Sequence, residues 1–191
     1  MEEKNLYIIA GCNGAGKTTA SFTILPHIIF CKEFVNADEI AKGISPFQPE
    51  TVAFEAGRIM LQRINDLLKS QVSFAFETTL ATRSHKPRIV RAKDRGYTVT
   101  LLFFWLQSVE LAIERVKTRV LEGGHHVEQD VIVRRYYKGI QNLFDIYLPL
   151  VDGALIFDNS YGEPELIAQK TMDGIMIPID QNKYNQLKYT K

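Results

Sequence analysis

The chain has only two cysteines in 191 residues, Cys12 and Cys31. That is too few for a disulfide framework, and their separation is not that of a metal-ligand pair. A reducing, cytoplasmic setting is the expectation. No apolar stretch approaches the ~20 residues of a membrane span, and the charged start Met1-Glu2-Glu3-Lys4 leads straight into an apolar run. Neither export nor membrane insertion is expected. A charge excess is also lacking: Lys+Arg 23 against Asp+Glu 22 leaves a formal net charge of +1, so no global basic field favours nucleic acid or an anionic membrane surface. Repeats, low-complexity tracts and Gly/Ser/Pro-rich linkers are missing too. A single domain over residues 1–191 is expected.

What is present is an alternation of short strands and amphipathic helices. Strand patterns occupy 6–10, 32–36, 73–77, 97–106 and 154–157, an order that reads as a parallel sheet between helical layers. The fourth is apolar almost throughout, as a strand covered on both faces should be, and belongs at or beside the sheet centre. Ala53, Ala56, Met60, Ile64 and Leu67 recur at helical spacing between Pro49 and Ser70. A second helix starts at the N-cap candidate Ser108 and stops at Gly123-Gly124. A third carries Ile132, Tyr136, Ile140, Leu143 and Tyr147 and is predicted to end before Pro149. Asp173-Gly174, between two short apolar runs, predicts a C-terminal hairpin at about 165–180. Residues 184–191 read as a partly ordered polar tail.

Directly after the first strand stands Gly11-Cys12-Asn13-Gly14-Ala15-Gly16-Lys17-Thr18, a GxxxxGKT loop entering a helix. Glycines let backbone N–H groups close around phosphate oxygens, Lys17 can reach the β and γ phosphates, and the Thr18 hydroxyl can ligate Mg²⁺. Gly11, Asn13, Gly14, Ala15, Gly16, Lys17, Thr18 and Thr19 are therefore candidate residues for binding a nucleoside triphosphate.

Ligands in open α/β sheets bind at the C-terminal ends of the strands, where three further groups fall. Asp38, just past the second strand, is either a base taking the proton of an attacking hydroxyl or the cap of the next helix. Glu77 ends the third strand before Thr78-Thr79, as a Mg²⁺ or substrate carboxylate would, or as a turn cap. Asn159 and Ser160 end the fifth strand, either lining a base pocket or forming an Asx turn.

Around Gly123-Gly124 the chain is rich in arginine, with Arg115 and Arg119 before and Arg134 and Arg135 after. Residues 115–136 read as a lid whose guanidinium forks suit phosphate oxygens, and Arg119 lies closest to the glycine hinge; a solvated helix face is the competing reading. His125 and His126, being adjacent, make poor joint metal ligands.

GCNGAGKTT, NADEI at 36–40, FETTL at 76–80, RVLEGGHHV, RRYYKGIQNL and FDNS, in that order and spacing, resemble the zeta toxin family of phosphate-loop kinases, in particular its free-standing zeta-like branch. The resemblance covers most of the chain. It implies a three-layer P-loop NTPase fold with a five-stranded sheet ordered 2-3-1-4-5. It implies, too, ATP- and Mg²⁺-dependent phosphorylation of a hydroxyl on a sugar nucleotide such as UDP-N-acetylglucosamine. In that family scheme Lys17 holds the phosphates, Asp38 is the base, Arg119 with Arg134 or Arg135 closes the lid, and an antitoxin protein can be the partner. Three alternatives stay open: a nucleotide or other metabolite kinase of the same fold, a nucleotide-gated binding module without an acceptor, and nucleic-acid end modification. The last rests only on the basic stretch from Lys86 to Arg95.

Overall fold

The computed structural model describes residues 3–27 and 29–190; Met1 and Glu2 of the charged start and Lys191 of the tail lie outside the described residues. In chain order the elements are β1 (Lys4–Gly11), α1 (Lys17–His27), β2 (Phe34–Val35), α2 (Ala37–Ile44), a 3₁₀ turn (Pro49–Val52), α3 (Ala53–Ser70), β3 (Phe74–Thr78), α4 (Lys86–Asp94), β4 (Tyr97–Trp105) and α5 (Val109–Leu121). There follow α6 (Gln129–Asn142), a π-helical turn (Leu143–Tyr147), the short α7 (Leu148–Leu150), β5 (Gly153–Asp158), β6 (Glu165–Lys170), β7 (Met176–Pro178) and α8 (Gln181–Lys188).

The strands form one sheet ordered β2-β3-β1-β4-β5-β6-β7. The first five are parallel in the expected 2-3-1-4-5 order, and the hairpin β6–β7 continues the sheet as antiparallel strands beyond β5. Its turn carries Gly174 at φ 84°, and the Thr171 N–H donates to the Ile175 carbonyl at 2.9 Å. β4, between β1 and β5, is buried along most of its length. Phe74, Phe76, Phe104 and Trp105 lie in the core with Leu6, Ile8 and Ile9. Each such side chain contributes roughly 1.5–3 kcal/mol by leaving water.

Most local stop and start signals act as read. The Ser108 hydroxyl accepts from the Leu111 N–H at 3.2 Å, and Gly123 takes φ 87° just past α5. Two expectations need correction. Pro149 does not end the third helical pattern: the chain passes through the π-helical turn and Pro149 sits in the first turn of α7, where a missing N–H costs nothing. Residues 184–190 are largely helical rather than a loose tail, because Asp180 caps α8 through the Asn182 and Lys183 N–H groups and Tyr184 and Leu187 are buried.

Candidate active site

Three close approaches make glycine obligatory in the phosphate loop. A side chain on Gly11 (φ 147°) would stand 2.3 Å from the Phe104 carbonyl, one on Gly14 (φ 79°) 2.9 Å from the Ala112 carbonyl, and one on Gly16 (φ 76°) 2.5 Å from the Asn159 amide. The loop is thus pressed against β4, α5 and the end of β5, and its N–H groups run into the N-terminus of α1, a ready anion site. Asn159 braces this loop by donating from Nδ2 to the Ala15 carbonyl at 2.8 Å. It supports the loop from behind through Nδ2, while its buried Oδ1 has no partner among the described residues. Arg115 secures that brace, its guanidinium donating to the carbonyls of Asn159 at 2.8 Å and Ser160 at 2.9 Å.

Lys17, Thr18, Asn36 and Glu77 converge in front of the loop. Lys17 is 7% exposed; its ammonium donates to the Cys12 carbonyl at 2.9 Å and lies 3.5 Å from Glu77 Oε1. Glu77 Oε2 accepts from the Thr18 hydroxyl and from Asn36 Nδ2, both at 2.8 Å. A buried carboxylate is costly without partners; here a cation and two neutral donors provide them. Asn36 supplies a second function, since its Oδ1 caps α2 by accepting from the Asp38 and Glu39 N–H groups. The capping reading of Asp38 is thereby corrected: the cap is Asn36, and the Asp38 carboxylate is left half exposed at the first turn of α2.

FETTL is held from the other side. Leu80 adopts φ 56°, a strained conformation for this residue, and is fixed by Asn142, which donates to its carbonyl at 2.7 Å. Gly139 of α6 packs so closely on the Thr79 carbonyl that a methyl group there would sit 2.6 Å away. Beneath β3, His85 stacks on Phe76 with ring centroids 4.8 Å apart, and burial pushes its pKa down to about 4.

The loop joining α5 to α6 folds over Asp38. His125 Nε2 is 3.6 Å from Asp38 Oδ2. Burial lowers the His125 pKa, opposed by Asp38 and reinforced by Arg119, Lys42 and Arg135, so the ring is neutral at neutral pH. Arg119 donates to the His125 carbonyl at 3.2 Å, while its buried Nε has no partner among the described residues. Arg135 reaches back to the phosphate loop, donating to Asn13 Oδ1 at 3.2 Å. Arg134 does not join them: it lines a separate cavity with Tyr137, Phe144 and Lys188 on the far side of α6. Two cavities meet at Asp38 and His125. One, of about 320 Å³, lies between Thr18 and the loop; the other, of about 170 Å³, runs from Asp38 towards the 3₁₀ turn.

Cys12 and Cys31 are both free and buried, and burial pushes the Cys12 thiol up to about 11, so neither offers a nucleophile to the site. The roles of Asn36 and Arg115 escaped the sequence reading. Asn36 was legible as an Asn-x-Asp-Glu helix start; nothing local marked Arg115, whose partners lie 44 residues away or more.

A phosphate loop, its lysine and a Thr–Glu pair at the carboxyl edge of a 2-3-1-4-5 sheet define a phosphate-loop fold of the nucleotide-binding class. More narrowly, the family model described as Zeta toxin matches residues 1–159, and the chain belongs to that family. An uncharacterized protein of Haemophilus influenzae is 30% identical over 136 residues, spanning 71% of this chain and 94% of the relative. Among solved structures, AvrRxo1-ORF1 in complex with AvrRxo1-ORF2 and ATP superposes with TM-score 0.76 at 18% identity, over 97% of this chain and 64% of that one. A chain from the PezAT toxin–antitoxin system of Streptococcus pneumoniae gives TM-score 0.61 at 18% identity, over 86% and 72%. These structural likenesses concern the fold; the chain spans about 64% of the AvrRxo1-ORF1 length. No described helix is long and apolar enough to cross a membrane.

Proposed function

We propose that the protein transfers the γ-phosphoryl group of ATP to a hydroxyl of a small molecule, in a reducing cytoplasmic setting. The observation that carries this is the buried Lys17–Glu77–Thr18–Asn36 cluster, facing the phosphate loop on one side and Asp38 on the other. Lys17, now spent on the Cys12 carbonyl and Glu77, is placed to turn to the β and γ phosphates. Gly14, Ala15 and Gly16 offer backbone N–H groups to the phosphates, and Thr18 with Thr19 opens α1.

Thr18 and Glu77 fit a Mg²⁺ ion that takes most of its ligands from phosphates and water. Bound there, Mg²⁺ would neutralise developing phosphate charge. Asp38 takes the acceptor proton, and the acceptor oxygen attacks the γ-phosphorus in line. Arg119 and Arg135, carried on the lid at about 115–136, complete the positive surround. Arg134 is left out of this assignment because of its separate cavity. His125, neutral and beside Asp38, orients that carboxylate.

Family kinship points to a sugar nucleotide such as UDP-N-acetylglucosamine as one acceptor class and leaves other hydroxyl metabolites as the second. An antitoxin is the proposed protein partner, since AvrRxo1-ORF1 was solved with AvrRxo1-ORF2 and the PezAT structure comes from a toxin–antitoxin system. The deciding experiment incubates the protein with Mg²⁺-ATP and a metabolite extract and reads mass gains of one phosphoryl group. Asp38→Asn is expected to keep ATP binding and lose transfer by about 10²- to 10⁴-fold; normal turnover by that variant would remove Asp38 as the base. ATP binding without any phosphorylated acceptor would favour a nucleotide-gated module.

A further inference from the structure

We infer that Lys183, on the C-terminal helix α8, is a positioning residue for the nucleotide site: through Asp158 it fixes the turn at 158–160 that supports the phosphate loop from behind. The inference rests on the nucleotide-binding reading of that loop and extends it to a segment beyond the matched residues 1–159.

Packing does not require this lysine. Asp180 caps α8 by accepting from the Asn182 and Lys183 N–H groups, both at 3.0 Å. The Ile179 and Asp180 N–H groups donate to the Ile167 carbonyl of β6 at 2.8 and 3.0 Å, and Tyr184 and Leu187 are buried. These contacts dock the helix on their own. Lys183 nevertheless stands in the first turn of α8, the end of a helix that disfavours a cation. Its ammonium bridges Glu165 at 2.5 Å, at the surface, and Asp158 at 3.1 Å, inside.

Asp158 ends β5 and is 3% exposed. Its Oδ1 accepts from the Ser160 N–H at 3.0 Å and the Ser160 hydroxyl at 2.6 Å, and its Oδ2 accepts from Gln107 Nε2 at 2.8 Å. Burial alone would raise the Asp158 carboxyl; bonds from Ser160, Gln107 and Lys183 outweigh it and hold the group below its ordinary value. Lys183 is the one cation paired with it among the described residues. The Ser160 hydroxyl accepts in turn from the Gln107 N–H at 2.9 Å.

The turn held in this way presents the carbonyls of Asn159 and Ser160 to Arg115, and the Asn159 amide to the Ala15 carbonyl. Gly16 leaves no slack, since a side chain there would stand 2.5 Å from Asn159 Nδ2. Close packing passes a displacement of the turn to the N–H groups of residues 14–16. Without Lys183, Asp158 would be a buried carboxylate with neutral donors and no cation, a costly state relieved by taking a proton or turning to water. Either change loosens the turn.

The test titrates Mg²⁺-ATP into the full chain and its variants, with thermal unfolding recorded on the same samples. Lys183→Met is expected to raise Kd and KM for ATP by about 10-fold, while kcat at saturating ATP changes by less than about threefold. Lys183→Arg, which keeps the cation, should return ATP affinity to within about threefold of the parent. In an Asp158→Asn background Lys183→Met should add little, because both act through one turn. Lys188→Met, removing an α8 lysine that does not bond Asp158, and Glu165→Gln, removing only the outer partner of Lys183, should stay within about twofold of the parent. Should Lys183→Met not fold, Lys183→Gln, which keeps a neutral donor, carries the same comparison. Unchanged ATP affinity on loss of the Lys183 charge, whatever the melting temperature does, would make α8 a packing element and overturn the inference; an equal loss in Lys188→Met would do the same. Absence of ATP binding by the parent chain would instead remove the nucleotide reading beneath it.

Discussion

Lys17, Thr18, Asn36 and Glu77 are held by one another and by the backbone, on strand ends and a helix start in the sheet's interior. Across the cleft, Asp38 is half exposed and is faced by His125, on the loop around two glycines, whose carbonyl Arg119 at the end of α5 holds. The side of Lys17 and Glu77 is tied together by its own hydrogen bonds, whereas the side of Asp38 is open. A triphosphate is one fixed shape recognised by backbone, whereas the acceptor must enter and leave, so the residues meeting it are drawn from the less stable part of the molecule.

Breaking the rigid side should cost most. Lys17→Ala is expected to reduce transfer by at least about 10³-fold and weaken ATP binding, read by coupled turnover and by titration with ATP; residual turnover within tenfold of the parent would mean that Lys17 is no phosphate ligand. Gly11→Ala forces a side chain against the Phe104 carbonyl in a left-handed conformation, and should destabilise the fold by about 3 kcal/mol in urea unfolding, with the anion site lost alongside.

His85, stacked under β3, makes the same rigidity visible through pH. Its folded pKa of about 4 lies below the ordinary histidine value. Between about pH 6.5 and 4 the unfolded chain therefore binds a proton that the folded one refuses, and stability falls as pH drops through that window, by up to about 3 kcal/mol. Below it both states are protonated and this contribution falls no further. In His85→Gln the slope assigned to this residue should vanish; an unchanged pH profile would show that another group sets it.

The smallest contrast sharpens the lid. Arg135→Ala should lower kcat by about 10-fold, because it removes a cation aimed at the phosphate loop, whereas Arg134→Ala should leave turnover within about twofold. Equal losses in the two variants would mean that α6 rotates on closing.

Much of the rigid side was legible in the sequence because its signals are local. The phosphate loop is contiguous, Glu77 closes an apolar run, and Asp173-Gly174 announces its own hairpin. The roles that escaped belong to residues whose partners are distant. Arg115 and Asn159 act together only because β5 brings residue 159 behind the loop, and Asn159 at a strand end gave no hint that it faces backwards. The different placements of Arg135 and Arg134 follow from how α6 packs, with Gly139 against Thr79. The C-terminal helix was missed because its buried face consists of Tyr184 and Leu187 alone, too short a pattern to outweigh a polar composition.

One amide joins the two sides. Asn36 donates to Glu77 and, through its other atom, pins the N–H groups at the start of the helix that bears Asp38. Should a nucleotide redistribute the hydrogen bonds of Glu77, Asn36 is placed to carry that change to the helix start beneath Asp38. The prediction this coupling makes is an ordered mechanism, ATP adding before the acceptor. Dead-end inhibition would then be asymmetric: an acceptor analogue competes uncompetitively against ATP, while an ATP analogue is noncompetitive against the acceptor.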